Sequence, residues 1–125
     1  MSAPAETGWD LYDPRMTVKA EAAEIITKGY ACYIASDGKA YLCDNSVNNM
    51  FHGCALQTVA AGEKVTLVTH GRLYTTVAQT IGNKAKSTTS SGGAVPSTTL
   101  SGIVCGTAIA AYLIQIHAEP ASNNA

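Results

Sequence analysis

The three histidines of this sequence are the residues best suited to metal binding or acid–base chemistry, and their spacing does not assemble them into a site. They are His52, His70 and His117, and no H-x-x-x-H or HExxH pattern joins any two of them. The sequence also contains no G-x-S-x-G, Walker or G-x-G-x-x-G pattern. We therefore expect a non-enzymatic protein without a metal or a cofactor.

The cysteines are a second source of chemistry, but no C-x-x-C spacing supports a zinc site. They are Cys32, Cys43, Cys54 and Cys105. Residues 1–10 lack a basic start followed by an apolar core, so we expect no secretory signal and reduced, buried thiols. If Asp37-Gly38 forms a two-residue hairpin turn, Cys32 lies opposite Cys43 in a hydrogen-bonded pair, which is a geometry less suited to a disulfide. The sequence therefore predicts four free thiols.

Length and charge limit the classes of partner. The chain has 125 residues, a net charge of −1 and 14% charged residues, against about 25% in an average soluble domain. We expect one domain and no membrane span, because no apolar run approaches the necessary length of about 20 residues. Nucleic acid is not expected as the main partner, since phosphate binding needs a basic face. Lys84 and Lys86 form the only close basic pair, and a solvated loop accounts for them.

The elements that would position these residues are predicted to be β-strands. In the centre of the chain, residues 54–58 and the β-branched run 65–69 predict two strands around a turn that contains Gly62. His70-Gly71-Arg72 interrupts the pattern before residues 73–77 resume it, which indicates either a hairpin or a strand bent by a bulge. Further strands are predicted at 30–36, 40–43, 103–108 and 112–117.

Other segments carry weaker patterns. Residues 15–24 alternate at the strand period, although Asp13 and Pro14 could begin a helix there. We predict a strand to about Glu21 and leave the helix alternative open. Residues 82–101 are rich in Gly, Ser and Thr and are predicted to form a long loop, with room for a short strand at 93–96. Residues 44–49 are predicted to form an Asn-rich loop.

A faint internal repeat suggests how the strands combine. Gly38-Lys39-Ala40, Gly53-Cys54-Ala55-Leu56 and Val65 to Val68 recur as Gly93-Ala94-Val95, Gly106-Thr107-Ala108-Ile109 and Leu113 to Ile116. Two copies of one strand–turn–strand unit could close into a barrel. We expect an all-β fold, either a small β-barrel or a β-tulip-like domain, over residues 15–118. An extended N-terminal arm would occupy residues 1–14, and a C-terminal tail residues 119–125.

The succession of turns and small residues resembles the small β-rich decoration (cement) proteins of tailed-phage heads. In particular, the chain is similar to the family known as a domain of unknown function that is linked to capsid decoration. The resemblance spans about residues 15–118 and is carried by Ile26-Thr27-Lys28-Gly29, residues 30–35, Gly53-Cys54-Ala55-Leu56, residues 60–67 and Gly71-Arg72-Leu73. That family typically ends with a Gly-x-Ala segment and a short apolar strand, which Gly106-Thr107-Ala108 and residues 113–117 match.

The resemblance implies a structural virion protein, made in the host cytoplasm, that binds the outer surface of an assembled phage capsid. Its partner would be the major capsid protein lattice, and a homotrimer on the capsid is one arrangement open to it. The candidates for capsid contact are Trp9, Leu11 and Tyr12 on the arm, together with Lys84 and Lys86. Two rival functions stay open at this point, namely a β-barrel that binds a small ligand or carbohydrate and the base domain of a head fibre or adhesin.

Overall fold

The computed structural model describes residues 8–9, 16–43, 50–87 and 95–118, and these residues form an all-β domain, as expected. Its strands are β1 (Gly8–Trp9), β2 (Met16–Ala22), β3 (Ala31–Ile34), β4 (Lys39–Leu42), β5 (Gly53–Ala55), β6 (Lys64–Tyr74), β7 (Lys84–Lys86), β8 (Val104–Ala110) and β9 (Leu113–His117). The predicted loop at 44–49, the tail at 119–125 and the arm residues Leu11 and Tyr12 lie outside the described residues.

Strand β6 is the longest strand and the axis of the sheet. One of its edges pairs with β2 and β1, and the other pairs with β5 and β9. The hairpin alternative for His70-Gly71-Arg72 is wrong, because Gly71 pairs with Ile116 inside one continuous strand. The alternative of a strand bent by a bulge is confirmed, since Thr69 is an extra residue where β6 pairs with β2.

Five strands close into a ring in the order β2-β4-β3-β5-β6, and β6 returns to β2. The closing contact is a parallel pairing in which Glu21 faces Lys39 and Ala22 faces Ala40. Five of the nine buried residues of its interior are alanine or cysteine, because five strands enclose a narrow space. The buried residues of this first core are Ala20, Ala22, Ile26, Cys32, Ala40, Ala55, Val59, Val65 and Leu67. The prediction of a small β-barrel-like domain is therefore confirmed.

Strands β9, β8 and β7 extend the sheet beyond β6 and are called the wing below. A second core lies between the wing and the outside of the ring. It contains Ala31, Tyr33, Cys43, Phe51, Cys54, Leu73, Ala85, Ile103, Cys105, Ile114 and Ile116. Strand β3 contributes to both cores, because Ala31 and Tyr33 face the wing side while Cys32 and Ile34 face the ring interior.

The turn between β3 and β4 differs from the two-residue turn expected at Asp37-Gly38. The Gly38 N–H donates to the Ala35 carbonyl (2.9 Å), and Gly38 has a φ of 83°, so residues 36–38 form a three-residue connection. The register shifts by one position, and Cys32 faces Leu42. The predicted Cys32–Cys43 pair is therefore wrong, whereas the predicted free thiols are confirmed, because all four cysteines are unbridged.

The segments with weaker patterns contain strands. Strand β2 confirms the strand prediction for residues 15–24 and excludes the helix alternative. The prediction of one long loop at 82–101 is wrong for Lys84–Lys86, which pair with β8 as β7. These residues become a strand because β8 offers a partner edge and Ala85 is buried in the second core. Lys86 also forms an isolated bridge with Ser97, next to the segment 93–96.

The middle segment of the internal repeat, Gly53–Leu56 with Gly106–Ile109, corresponds to a repeated hydrogen-bond pattern. The Gly29 N–H donates to the Ala55 carbonyl (2.8 Å), and the Ala55 N–H donates to the Tyr30 carbonyl (3.0 Å). The same two bonds recur from Gly82 to Ala108 (2.9 Å) and from Ala108 to Asn83 (3.0 Å). Residue numbers shift by 53 in every case, so β3 and β5 correspond to β7 and β8 in position and register.

Candidate functional site

A groove of about 310 Å³ lies beside β7 and is the candidate binding site. Its lining residues are Asn83, Lys84, Lys86, Thr98 and Leu100. The lining combines two ammonium groups, an amide and a hydroxyl with one aliphatic side chain. This set of groups is suited to an anionic or hydrogen-bonding ligand.

Strand β7 places the two lysines on the groove. Side chains alternate along a strand, so Lys84 and Lys86 point to one side while Ala85 points to the other. Ala85 is fully buried, and Lys84 is exposed. Burial of this single alanine therefore fixes both ammonium groups on the solvent side of β7.

The opposite wall of the groove is held by a buried glutamine. Gln79 is only 8% exposed, and its Oε1 accepts a hydrogen bond from the Thr98 N–H (2.6 Å). The Thr98 Oγ1 accepts in turn from the Thr80 N–H (2.9 Å). A turn then follows, in which the Leu100 N–H donates to the Ser97 carbonyl (3.3 Å). These bonds fix the position of Thr98 and Leu100 relative to β7.

The outer edge of β7 is paired at Lys86 and open at Lys84. Lys86 and Ser97 exchange two backbone hydrogen bonds of 3.0 Å each, and a turn directly after Ser97 ends this pairing. The Ala108 N–H donates to the Asn83 carbonyl, so the backbone groups of Lys84 face away from β8, because alternate residues of a strand bond to alternate edges. Among the described residues, none pairs with the backbone of Lys84 on that outer edge.

The corresponding position in the first half of the chain has a partner. Ala31 is equivalent to Lys84 under the shift of 53 residues, and its carbonyl accepts a hydrogen bond from the Cys43 N–H (2.9 Å). Cys43 directly follows β4, which covers this edge of β3. The groove thus lies where the first half of the chain has a further strand.

Charge is distributed unevenly between the two halves of the chain. Residues 64–118 contain no aspartate or glutamate, although four cationic residues lie in this range. Every described carboxylate lies before residue 64, in the part of the chain called the ring half below, and each has a local partner. Glu21 pairs with Lys39 (3.5 Å), Glu24 accepts from the Leu42 N–H (3.0 Å), Asp37 from the Lys39 N–H (2.9 Å) and Glu63 from the Ala60 N–H (2.7 Å). The basic side chains around the groove therefore have no described carboxylate as an ion-pair partner.

A further cationic residue, Arg72, lies on β6 in the same row across the sheet as Lys84. Arg72, Gln115, Thr107 and Lys84 lie directly opposite one another across β6, β9, β8 and β7. Directly opposed residues share one face of a sheet, so the four side chains form a row. The two cationic residues at its ends are separated by three strand spacings, or about 14 Å.

The structure brings together some of the residues expected to contact a partner and separates others. Lys84 and Lys86 share the groove. The backbone of Trp9 pairs with Leu73 on the edge of β6 opposite β9, so three strands lie between β1 and β7. Sequence reasoning missed Asn83, Thr98 and Leu100, and it also missed the absence of acidic residues between positions 64 and 118, which was visible in the sequence.

Histidine 52 has a structural role. Its Nδ1 accepts a hydrogen bond from the Ile34 N–H (2.8 Å), which requires a neutral imidazole with the proton on Nε2. Partial burial lowers the pKa of His52 and favours the same neutral form. His70 and His117 lie opposite each other on β6 and β9. Among the described residues, no group of three or more His, Cys, Asp or Glu side chains is placed to hold a metal ion.

The four thiols are inert by burial. Cys32 faces the ring interior, and the other three cysteines lie in the second core. Burial raises the pKa of every one of them, so each is protonated near neutral pH. Three of the thiols also donate weak hydrogen bonds to backbone carbonyls. They act as small apolar side chains of the cores.

The fold and the groove define a class, an all-β, β-barrel-like domain with a basic groove at the end of its sheet. No family model and no curated protein matches the chain. The described part of the chain contains no helix with the length and apolar character needed to cross a lipid bilayer.

Proposed function

We propose that this protein is a structural, non-enzymatic virion protein that binds the outer surface of an assembled tailed-phage capsid and stabilises the head. The observation that carries the proposal is the repeated strand unit. The segments that resemble decoration proteins, Gly53-Cys54-Ala55-Leu56 and Gly106-Thr107-Ala108, occupy equivalent positions in β5 and β8. The resemblance therefore coincides with a unit that the fold uses twice.

Stabilisation would follow from binding linkage. A protein that binds the assembled lattice but not its dissociated subunits lowers the free energy of the assembled state. At a free concentration 100 times the dissociation constant, each site contributes about 2.7 kcal/mol. Many copies on one shell, or several binding surfaces within one oligomer, would add avidity to individually weak contacts. No chemical step at the protein surface is needed for this role.

The carbohydrate-binding alternative is less well supported by the arrangement of aromatic residues. Sugar and small-ligand sites usually combine aromatic surfaces with convergent polar groups. Two of the described tyrosines, Tyr33 and Tyr41, instead stack on each other, with ring centroids 5.6 Å apart. Tyr33 is buried, and the Tyr41 hydroxyl donates to Asp37 (2.7 Å). None of the residues that line the groove is aromatic.

The proposal is tested by sedimentation with capsids. Purified protein is mixed with mature, undecorated shells and, separately, with unassembled capsid protein of the same phage. We expect saturable binding to the shells alone and a higher temperature of shell disruption in the decorated sample. Equal binding to free capsid subunits, or no binding to the cognate shells, would overturn the proposal. The arm residues Trp9, Leu11 and Tyr12 stay predicted contacts.

A further inference from the structure

We propose that the groove beside β7 binds an extended, acidic segment of a partner protein, which pairs its backbone with Lys84 and places its carboxylates on Lys84 and Lys86. The identity of the partner rests on the proposed function, according to which this acidic segment belongs to the capsid surface. The proposal follows from three independent features, namely the open strand edge, the uncompensated charge and the shape of the groove.

The open edge determines the conformation of the ligand. Lys86 already pairs with Ser97 in antiparallel fashion, and the turn after Ser97 ends this pairing before Lys84. An extended segment that continues this pairing would use the N–H and C=O of Lys84, which face outward. Addition of a strand to a sheet edge is a common mode of peptide recognition. The equivalent edge in the first half of the chain receives a hydrogen bond from Cys43 to Ala31.

The charge determines the chemistry of the ligand. Lys84 and Lys86 lie on one side of β7, and the chain from residue 64 to residue 118 supplies no carboxylate for them. The described carboxylates of the ring half already have local partners, so a second copy of this chain that used these carboxylates would have to break those contacts. A separate acidic partner would form ion pairs without that cost.

The size of the groove favours a protein segment over nucleic acid. A groove of about 310 Å³ accommodates a few extended residues, with Leu100 available to the aliphatic part of a side chain. Nucleic acid would require several cations along a continuous track. The next described cation of the row, Arg72, lies about 14 Å from Lys84, or three strand spacings.

The backbone pairing makes a specific prediction for a synthetic peptide. In a residue directly opposite Lys84, the N–H would bond to Lys84 and the side chain would share the face of the Lys84 side chain. In a peptide of alternating Glu and Thr, the glutamates would occupy these positions. N-methylation of the Glu residues should therefore abolish binding, whereas N-methylation of the Thr residues should have little effect.

The test measures binding of the fluorescently labelled Glu–Thr peptide by anisotropy at low salt. The comparison ligands are the two N-methylated peptides, a Gln–Thr peptide of equal length and a short oligothymidylate. We expect Lys84→Glu and Lys86→Glu each to weaken binding by about tenfold, and Lys19→Glu, an equal charge change on β2, to change it by less than about twofold. Added salt should weaken binding by the wild-type protein.

Several outcomes would overturn the inference. The Gln–Thr peptide could bind as tightly as the Glu–Thr peptide, Lys84→Glu and Lys19→Glu could weaken binding equally, or the oligothymidylate could bind more tightly than the Glu–Thr peptide. Equal binding of the two N-methylated peptides would exclude strand addition.

The same variants are then sedimented with shells. If wild type and Lys84→Glu bind shells equally, this inference fails while the capsid function stands. If the peptide binds and the shells do not, the capsid function fails while the groove remains an acidic-peptide site.

Discussion

Substitution of Gly106 by alanine is expected to be among the most destabilising single changes in the sheet. Gly106 lies in β8 opposite Ile116 of β9. A Cβ atom at this position would overlap the backbone oxygen of Gln115. It would also lie 3.0 Å from the Gln115 carbonyl carbon and 3.1 Å from the Ile116 Cα. All three obstacles are backbone atoms, so no side-chain rotation can relieve the overlap, and β8 must move away from β9.

The size of the effect can be built from two contributions. Overpacking of a well-filled interior costs about 1–3 kcal/mol. Separation of the strands would also weaken about two ladder hydrogen bonds, each with a net value of about 1 kcal/mol. We therefore expect Gly106→Ala to lower the free energy of unfolding by about 3–5 kcal/mol, within a total of about 5–15 kcal/mol. At about 4 °C per kcal/mol for a domain of this size, the Tm should fall by about 12–20 °C.

The matched control is Gly62→Ala. Gly62 has a φ of 89°, but nothing lies within 4 Å of the position that its Cβ would take. This substitution adds only the cost of a left-handed backbone, about 1–2 kcal/mol. Urea unfolding followed by circular dichroism measures both variants. If Gly106→Ala is no more destabilising than Gly62→Ala, the overlap with β9 is not a real constraint and the reasoning is refuted.

Two further predictions concern the buried thiols and His52. A thiol reagent should label none of the four cysteines in the native protein and all of them in denaturant; rapid native labelling would contradict their burial. Because the folded state lowers the pKa of His52, its contribution to stability should be complete above the unfolded pKa of about 6.5 and decline as pH falls through the lower folded value. His52→Asn, which keeps an acceptor for the Ile34 N–H, should show a smaller fall in urea midpoint between neutral and acidic pH; an equal fall would exclude His52 as its cause.

The strands could be predicted from the sequence because they depend on local patterns. Alternation in residues 16–22 and the β-branched run 65–69 gave the positions of β2 and β6. The pairing of strands depends on contacts between residues that are far apart in the chain, and the predicted pairings were wrong at two places. Gly71 interrupts the local pattern, yet it stays within β6 because Ile116 pairs with it. At the β3–β4 turn, Gly38 carries the positive φ that a three-residue connection needs, and one added residue was enough to separate Cys32 from Cys43.

The groove could be predicted only in part. Lys84 and Lys86 were visible as a basic pair, but their placement on a strand depends on β8, about twenty residues further along the chain. Thr98 and Leu100 reach the groove through the bridge between Lys86 and Ser97 and through the side chain of Gln79. A local reading of a Ser- and Thr-rich segment does not reveal such contacts, because its composition is that of an ordinary loop.

The sharing of β6 between the ring and the wing has a consequence for how the chain folds. The first half of β6 closes the ring by pairing with β2, and its second half pairs with β9. Neither the ring nor the wing therefore has a complete sheet until β6 is in place. Most pairings also join distant parts of the chain, such as β2 with β6 and β6 with β9. A topology dominated by non-local pairing folds on the scale of milliseconds to seconds. The two cores lie on opposite faces of β3, and both depend on β6. We therefore expect the two cores to form and melt in one cooperative transition.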